Sequence, residues 1–371
     1  MYERYAWTEV DLSAIAHNVR TLKSLTPRGT LFMAVVKADG YGHGAVPVAR
    51  DALAAGADRL GVATVEEAVV LREAGIRAPV HVLSEPPLSA MRLLLEHDLV
   101  PTVTHREFIV EAGRQAASLD RELRYHLKVD TGMNRIGVRA EDAPEFAAAL
   151  LGFPGVRHEG TFTHFATADT PGDWDFERQM ERFRLALARM RDEGVDPGIV
   201  HAANSPATIL HPESHFDMVR CGIAVYGLHP DRSTYDSVDL RPAMSVRARV
   251  SHVKRVAMGE GVSYGLTWRA AAPTHVATLP LGYADGVHRI ASNKMQVLLG
   301  GVRCDQIGRV CMDQFMVEVP RGQTVRVGDE AVLVGTQDAE HITMDELAEA
   351  AGTINYETAC AFGLRMSRRY R

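Results

Sequence analysis

The stretch Leu31-Phe32-Met33-Ala34-Val35-Val36-Lys37-Ala38-Asp39-Gly40-Tyr41-Gly42-His43-Gly44 decides how the rest of the chain is read. Six consecutive apolar residues read as a short strand buried on both faces, the kind found in parallel sheets. A lysine closes the run. An amine in such a place is rare unless it is paired or chemically used. One that can shed its proton is a nucleophile, which points to a carbonyl-linked cofactor. The glycines that follow let backbone approach a ligand closely.

Outward from this strand the pattern repeats. Apolar runs at 31–36, 60–63, 80–83, 99–103, 123–129, 158–163, 199–201 and 216–219 alternate with helical stretches such as 45–55, 64–74, 106–117 and 175–192. Eight strands alternating with helices is the pattern of an α/β fold of the TIM type, a (β/α)8 barrel. The pattern changes after Gly227. A polar segment with two prolines, 229–242, reads as a connection. Runs at 245–253, 275–280, 295–299, 315–319 and 330–334 then follow, separated by glycine-rich turns. These predict a mainly β C-terminal domain with one helix at 343–351. The expected division is a strand in residues 1–9 pairing with the β domain, a barrel over 10–235, and the β domain over 236–371.

The chain has 371 residues, which favours two domains over one core, and a formal net charge of −6. With no long basic run, nucleic acid and anionic membrane are not expected partners. No apolar stretch is long enough to span a bilayer and no signal-peptide pattern opens the chain, so a cytoplasmic location is expected. The four cysteines, Cys221, Cys304, Cys311 and Cys360, form no C-x-x-C pair and read as free thiols in a reducing compartment. The 16 histidines show no metal-ligand spacing, so no metal is expected.

In a barrel of this type chemistry sits at the C-terminal ends of the strands. The groups standing there are Lys37, Lys128, Asp130, Asn134, Arg135, His164, Asn204, Ser205 and Arg220, followed by Gly222 and Ile223 as candidate phosphate-binding backbone. Each has a plainer reading. Lys128 can extend its head to the mouth. Asn204 and Ser205 can cap a helix before Pro206. Arg220 can pair with Asp217, and Arg135 can be a surface ion-pair residue. The coincidence of all of them at one rim favours function. A rival signal is Gly40-x-Gly42-x-x-Ala45 with Glu66 downstream, the spacing of a dinucleotide-binding turn. Lys37 ahead of those glycines argues against it. In the second domain, Tyr264, Tyr283 and Tyr356 stand in loops, as does the run from Gly308 to Gln314.

The chain resembles the bacterial alanine racemases, enzymes that use pyridoxal 5′-phosphate (PLP). The resemblance rests on Ala34-Val35-Val36-Lys37-Ala38-Asp39-Gly40-Tyr41-Gly42-His43-Gly44, on Lys128-Val129-Asp130-Thr131-Gly132-Met133-Asn134-Arg135-Ile136-Gly137 and on Thr163-His164-Phe165-Ala166. It continues through Arg220-Cys221-Gly222-Ile223-Ala224-Val225-Tyr226-Gly227, Val262-Ser263-Tyr264-Gly265 and Gly308-Arg309-Val310-Cys311-Met312-Asp313. It implies a homodimer with active sites shared between chains. It implies that Lys37 attaches to PLP and that Tyr41, Asn204, Ser205, Gly222, Ile223 and Tyr356 hold it, with the phosphate on all of these but Asn204. It further implies that Arg220 faces the pyridine nitrogen with His164 beside it, and that His164 and Arg220 are catalytic, as a network whose positive charge lowers the pKa of Tyr264. Arg135, Met312, Asp313, Tyr283 and a carbamylated Lys128 would serve the substrate, and Lys37 and Tyr264 would be the two opposed bases. The implied activity is interconversion of L- and D-alanine, supplying D-alanine for peptidoglycan. Serine or a broader amino-acid range on the same scaffold, a decarboxylase of similar layout, and a non-catalytic PLP carrier are the alternatives.

Overall fold

The computed structural model describes residues 4–170, 172–363 and 365–371, so the first three residues of the expected N-terminal strand lie outside the described residues. The chain divides into two compact units. One holds Ser13–Gly40 and Ala45–Arg241. The other holds the N-terminal segment through Leu12, Tyr41–Gly44 and Pro242–Arg371.

The first unit is a closed parallel barrel. Its strands are Leu31–Val35, Arg59–Val62, Val80–Val82, Leu99–Val103, Leu123–Asp130, Val156–Phe162, Ile199–His201 and Met218–Cys221. Each pairs with the next in parallel, and Met218–Cys221 returns to Leu31–Val35 to close the ring. The helices follow local rules. Val65–Glu73 opens on a reciprocal capping box between Thr64 and Glu67. Trp174–Asp192 starts at the Asp173 cap, carries acids in its first turn and arginines in its last, and buries Phe176, Met180, Phe183, Leu187 and Met190 along one stripe.

One strand boundary in this unit needs correction. The last barrel strand begins at Met218 rather than Phe216, because Phe216 takes a left-handed conformation with φ 47°. Arg220 therefore lies within the strand, not after it. Asp217 does not pair with Arg220; its carboxylate accepts the Val200 amide at 2.8 Å. The glycine-rich stretch is also not a dinucleotide turn. Ala38, Asp39, Gly40 and Tyr41 all have φ between 50° and 62°, making a left-handed turn directly after Lys37. The Ala45 amide at the head of the helix that follows is already taken by the Asp39 carboxylate at 2.8 Å.

The second unit is a sheet built around Met244–Arg249, which pairs antiparallel with Ala6–Val10 and with Glu330–Gln337; Ala6–Val10 in turn pairs in parallel with the C-terminal strand Ser367–Tyr370. The apolar run 245–253 is two strands, not one. His252–Val256 leaves the first partner and joins Thr274–Leu279, which pairs with Phe315–Val319. The strands Val302–Ile307 and Ser367–Tyr370 and the helix Asn355–Ala361 had no clear sequence signal; their charged residues interrupt the apolar periodicity. Among the described residues, no helix is long and apolar enough to cross a membrane.

Candidate active site

Lys37 follows the first barrel strand and is half-buried, and the turn after it is held by side chains. The Glu67 carboxylate accepts the Ala38 amide at 2.6 Å and the Ala63 amide at 2.8 Å, while Asp39 accepts the Ala45 amide at 2.8 Å. Left-handed backbone costs a non-glycine residue about 1–2 kcal/mol. These bonds offset that cost at Ala38 and Asp39, and Lys37 is delivered at a set angle.

Arg220 is buried at the centre of the barrel and its guanidinium is tightly held. NH2 donates to the carbonyls of Thr163 and Ala202 at 2.8 and 2.9 Å and reaches His164 Nδ1 at 3.2 Å; NH1 reaches His201 Nδ1 at 3.0 Å. Its Nε makes no hydrogen bond among the described residues. Burial lowers the Arg220 pKa to about 9, which leaves it cationic at neutral pH. His164 is pushed well below its usual value by burial and by the charges of Arg220, Lys128, Arg135 and Lys37, so it is neutral.

Lys128 is 5% exposed and its ammonium sits 4.7 Å from the centroid of the Phe162 ring. Burial, then Arg220 and Arg135, lower its pKa to about 7. The head is therefore not free in water, as a simple extended lysine would be. Arg135 is exposed and makes no ion pair or hydrogen bond among the described residues. Its loop is shaped by Asp130, which accepts the amides of Gly132 and Asn134 at 3.1 and 3.0 Å. Gly137, at φ 136°, has to be glycine because a Cβ would stand 2.7 Å from the Asp130 amide nitrogen.

Ser205 and Gly222 come together: the Gly222 amide donates to Ser205 Oγ at 2.9 Å, and the Ile223 amide makes no hydrogen bond among the described residues. Asn204 caps the helix Ser205–Leu210 through the Ala207 amide at 3.1 Å, the plainer of its two readings.

The remaining candidates belong to the other unit. Tyr41 lies against Tyr356, ring centroids 6.4 Å apart. Tyr264 is 71% exposed in a turn where Ser263, Gly265 and Leu266 all have positive φ. Ser263 Oγ donates to the Arg309 carbonyl at 2.6 Å, and the Tyr283 and Ala284 amides donate to the Cys311 and Met312 carbonyls at 3.0 Å each. Tyr264, Tyr283 and Met312 thus stand on loops tied to the same short segment. The Met312 amide makes no hydrogen bond among the described residues. Asp313 is engaged elsewhere, in an ion pair with Arg365 at 2.7 Å.

Several supporting residues gave no clear signal in the sequence. Gln179 is 3% exposed on the apolar face of the helix Trp174–Asp192; it donates to the His164 carbonyl and to Thr131 Oγ1, both at 3.1 Å, and accepts from the Ala166 amide. A buried glutamine within an apolar stripe was the one available hint. Glu67, His126, Glu159 and His201 were equally unmarked.

At the barrel mouth Lys37, Lys128, Arg135 and Arg220 are close enough to depress His164 together, and the Asp130 carboxylate is committed to shaping its own loop. Such a set favours a ligand bearing several negative charges. The seryl hydroxyl and the unpaired Ile223 amide add neutral donors suited to a phosphate.

Comparison with known proteins agrees in both halves. Residues 10–230 match the alanine racemase N-terminal domain and residues 243–370 the alanine racemase C-terminal domain. The chain is 45% identical to an alanine racemase of Desulfovibrio desulfuricans, covering 100% of this chain and 99% of that protein. It is 48% identical to one of Symbiobacterium thermophilum over 99% and 97% of the two chains. The structure of alanine racemase from Bacillus anthracis with bound L-Ala-P superposes with a TM-score of 0.94 at 41% identity, covering 100% of this chain and 96% of that one. The motifs, the closed barrel with its cationic mouth and these full-length matches lead to one conclusion: the chain belongs to the alanine racemase family.

Proposed function

We propose that the protein interconverts L- and D-alanine with PLP held at the barrel mouth. The observation that carries this reading is the convergence of Lys37, Lys128, Arg135 and Arg220 around the neutral His164. A phosphorylated cofactor and a substrate carboxylate supply the anions that such a mouth requires. PLP, when bound, supplies a sink for the electrons left behind when the alanine Cα–H bond breaks.

The chain's own groups do the rest. Lys37 Nζ would hold the cofactor and would be the group that takes up and returns a proton at Cα on one face. Ser205 Oγ and the Ile223 amide would receive the phosphate; Gly222, whose amide donates to Ser205 Oγ, is assigned to it by resemblance, as are Tyr41 and Tyr356. Arg220 would offer its Nε as a donor to the pyridine nitrogen, and Asn204 orders the backbone after Ser205 by accepting the Ala207 amide. By resemblance, the alanine carboxylate is assigned to Arg135 and to the Met312 amide of another copy of the chain. Tyr283 and Asp313 are assigned to the substrate by resemblance alone, and Asp313 is held in its ion pair with Arg365.

The second face of Cα needs a second base, which we assign to Tyr264 of another copy of the chain. Its 71% exposure, with Met312 at 52% and Tyr283 at 42%, supports a surface that a second copy covers. Lys128, with a pKa near neutrality, is poised to add CO2. The resulting carbamate anion would fix the fork of Arg135. Working in the cytoplasm, the protein would supply D-alanine for peptidoglycan.

The test has two arms. L-alanine is incubated with PLP-loaded protein and D-alanine is followed by chiral chromatography, with L-serine in parallel. Lys37→Ala and Tyr264→Phe, each inactive alone, are then mixed and allowed to exchange subunits. Shared sites restore about a quarter of wild-type activity, because half the dimers carry one intact site. Absence of D-alanine in the first arm refutes the activity, and absence of rescue in the second refutes the shared site.

A further inference from the structure

Beneath the mouth, three buried histidines, His81, His126 and His201, place ring nitrogens within 4.8 Å of one another. Their wiring is not that of a metal site. His126 Nδ1 and His201 Nε2 are 2.7 Å apart, whereas two nitrogens bound to one zinc ion at about 2.1 Å each sit more than about 3 Å apart. The short contact is a hydrogen bond.

Its direction follows from both ends. Arg220 only donates, so His201 Nδ1 accepts from it and the His201 proton sits on Nε2. That nitrogen donates to His126 Nδ1, which places the His126 proton on Nε2. His126 Nε2 then donates to Glu159 Oε2 at 3.0 Å, and an ionised carboxylate only accepts. Donor-only arginine and acceptor-only glutamate thus impose the same sense on the two rings between them. The charge states agree. Burial holds both imidazoles neutral. Burial acts to raise the Glu159 carboxyl, but hydrogen bonds from His126 and Arg59 outweigh it and keep it ionised.

Two backbone features are built around this chain. The strand Val156–Phe162 is irregular at Glu159: Tyr125 pairs with His158 and His126 with Gly160, so Glu159 is an extra residue in the ladder. Such a bulge re-aims a side chain that regular alternation would point elsewhere. Gly160 leaves the space for His126, since a Cβ there would stand 2.6 Å from the imidazole Cε1. Beyond Glu159 the carboxylate meets Arg59 at 2.8 Å and Arg124 at 3.2 Å, and Arg124 reaches the exposed Asp98 at 2.8 Å. Arg59 and Arg124 stand at the N-terminal starts of their strands and Asp98 just ahead of its own, opposite the mouth.

We propose that Glu159 is a positioning residue for the barrel-mouth site: it accepts the His126 Nε2 hydrogen and so orders a one-way chain of hydrogen bonds that presents an acceptor to Arg220. Without that acceptor His126 is free to carry its proton on Nδ1. His201 then carries its own on Nδ1, facing the Arg220 NH1 group donor to donor, and the guanidinium moves. The catalytic consequence rests on the function proposed above; the placement of the protons does not.

The test is 15N NMR of histidine-labelled, PLP-loaded protein beside steady-state kinetics. In the wild type, His126 and His201 should carry protons on Nε2 alone, with scalar coupling across the His201–His126 bond. Glu159→Met should produce a signal from His201 protonated on Nδ1, and kcat should fall about ten- to a hundredfold with KM for alanine little changed. Glu159→Gln keeps an acceptor oxygen and should keep both the tautomers and the rate. Arg124→Met breaks an ion pair to the same carboxylate but leaves the His126 bond, so it should lower stability without moving the His201 signal. A wild-type His201 protonated on Nδ1, an unchanged His201 in Glu159→Met, altered tautomers in Glu159→Gln, or equal perturbation by Arg124→Met would each overturn the proposal. If Glu159→Met does not fold, the wild-type and Gln spectra still decide. Expected tautomers in a protein that does not racemise alanine would remove the proposed function and leave the ordered chain standing.

Discussion

The Glu67 carboxylate lies 2.6 Å from the backbone amide of Ala38, the residue immediately after Lys37. The same carboxylate caps its own helix by accepting from Ala63 and Thr64. One side chain therefore joins the start of a helix to the left-handed turn that presents Lys37. Glu67→Ala should lower stability by about 1–3 kcal/mol through the lost acceptor and cap. It should also speed PLP loss, because the turn loses its main restraint. Urea unfolding and the decay of cofactor absorbance on dilution measure the two effects; a change under 0.5 kcal/mol with unaltered PLP retention would contradict the role.

The Arg220 guanidinium lies within hydrogen-bond distance of two carbonyls and two imidazole nitrogens. Arg220→Lys keeps a charge but loses the planar fork, and an ammonium cannot reach all four acceptors. Leaving buried acceptors without a donor costs about 1–3 kcal/mol each, so the variant should unfold at clearly lower denaturant concentration and lose most activity. Retention of wild-type stability would mean that the guanidinium is not the keystone of this region.

Lys128 sets a pH dependence whose sign can be stated. Its folded pKa is lowered to about 7 from 10.5, so between those values the unfolded chain binds more protons than the folded one. Stability should therefore rise with pH across that window. The full penalty of the charged amine, on the order of 4–5 kcal/mol, is present below about pH 7 and is relieved by about pH 10.5. In CO2-free buffer, Lys128→Met should flatten this part of the stability curve and gain stability near pH 6. A parallel curve for the two proteins would show that burial does not perturb the amine.

Arg135 is exposed, cationic and, among the described residues, unpaired. A hydrogen bond to a charged group contributes about 1.5–3 kcal/mol, so Arg135→Met should raise KM for alanine roughly ten- to a hundredfold with an unchanged circular dichroism spectrum. An unaltered KM would remove Arg135 from the carboxylate site.

Much of the barrel was legible because its strands are uninterrupted apolar runs, and the rim residues followed from where those runs end. The last strand was placed two residues early, since no local signal distinguishes an extended Phe216 from one held left-handed. The β unit was less legible. Its strands Val302–Ile307 and Ser367–Tyr370 carry arginines and an aspartate that break the alternation, because Arg303 pairs with Glu340 and Glu346 and Arg369 stacks on Trp7. At the site, chemically distinctive side chains such as Lys37, Lys128 and Arg220 announced themselves. Gln179, Glu67, His126, His201 and Glu159 did not, because their work consists of hydrogen bonds to groups far away in the chain.

The sequence by itself determined the alternation that makes a barrel, the lysine that ends its first strand and the family to which the chain belongs, for these rest on local pattern and residue identity. Tertiary structure alone decided the left-handed turn after Lys37, the neutral state of His164 and the one-way chain from Glu159 to Arg220. Each of these arises from burial and from partners separated by 19 to 75 residues, such as Ala38 with Glu67, Arg220 with His201 and His126 with His201. Hydrogen-bond direction and desolvation are properties of the folded surroundings, and no local window of sequence contains them.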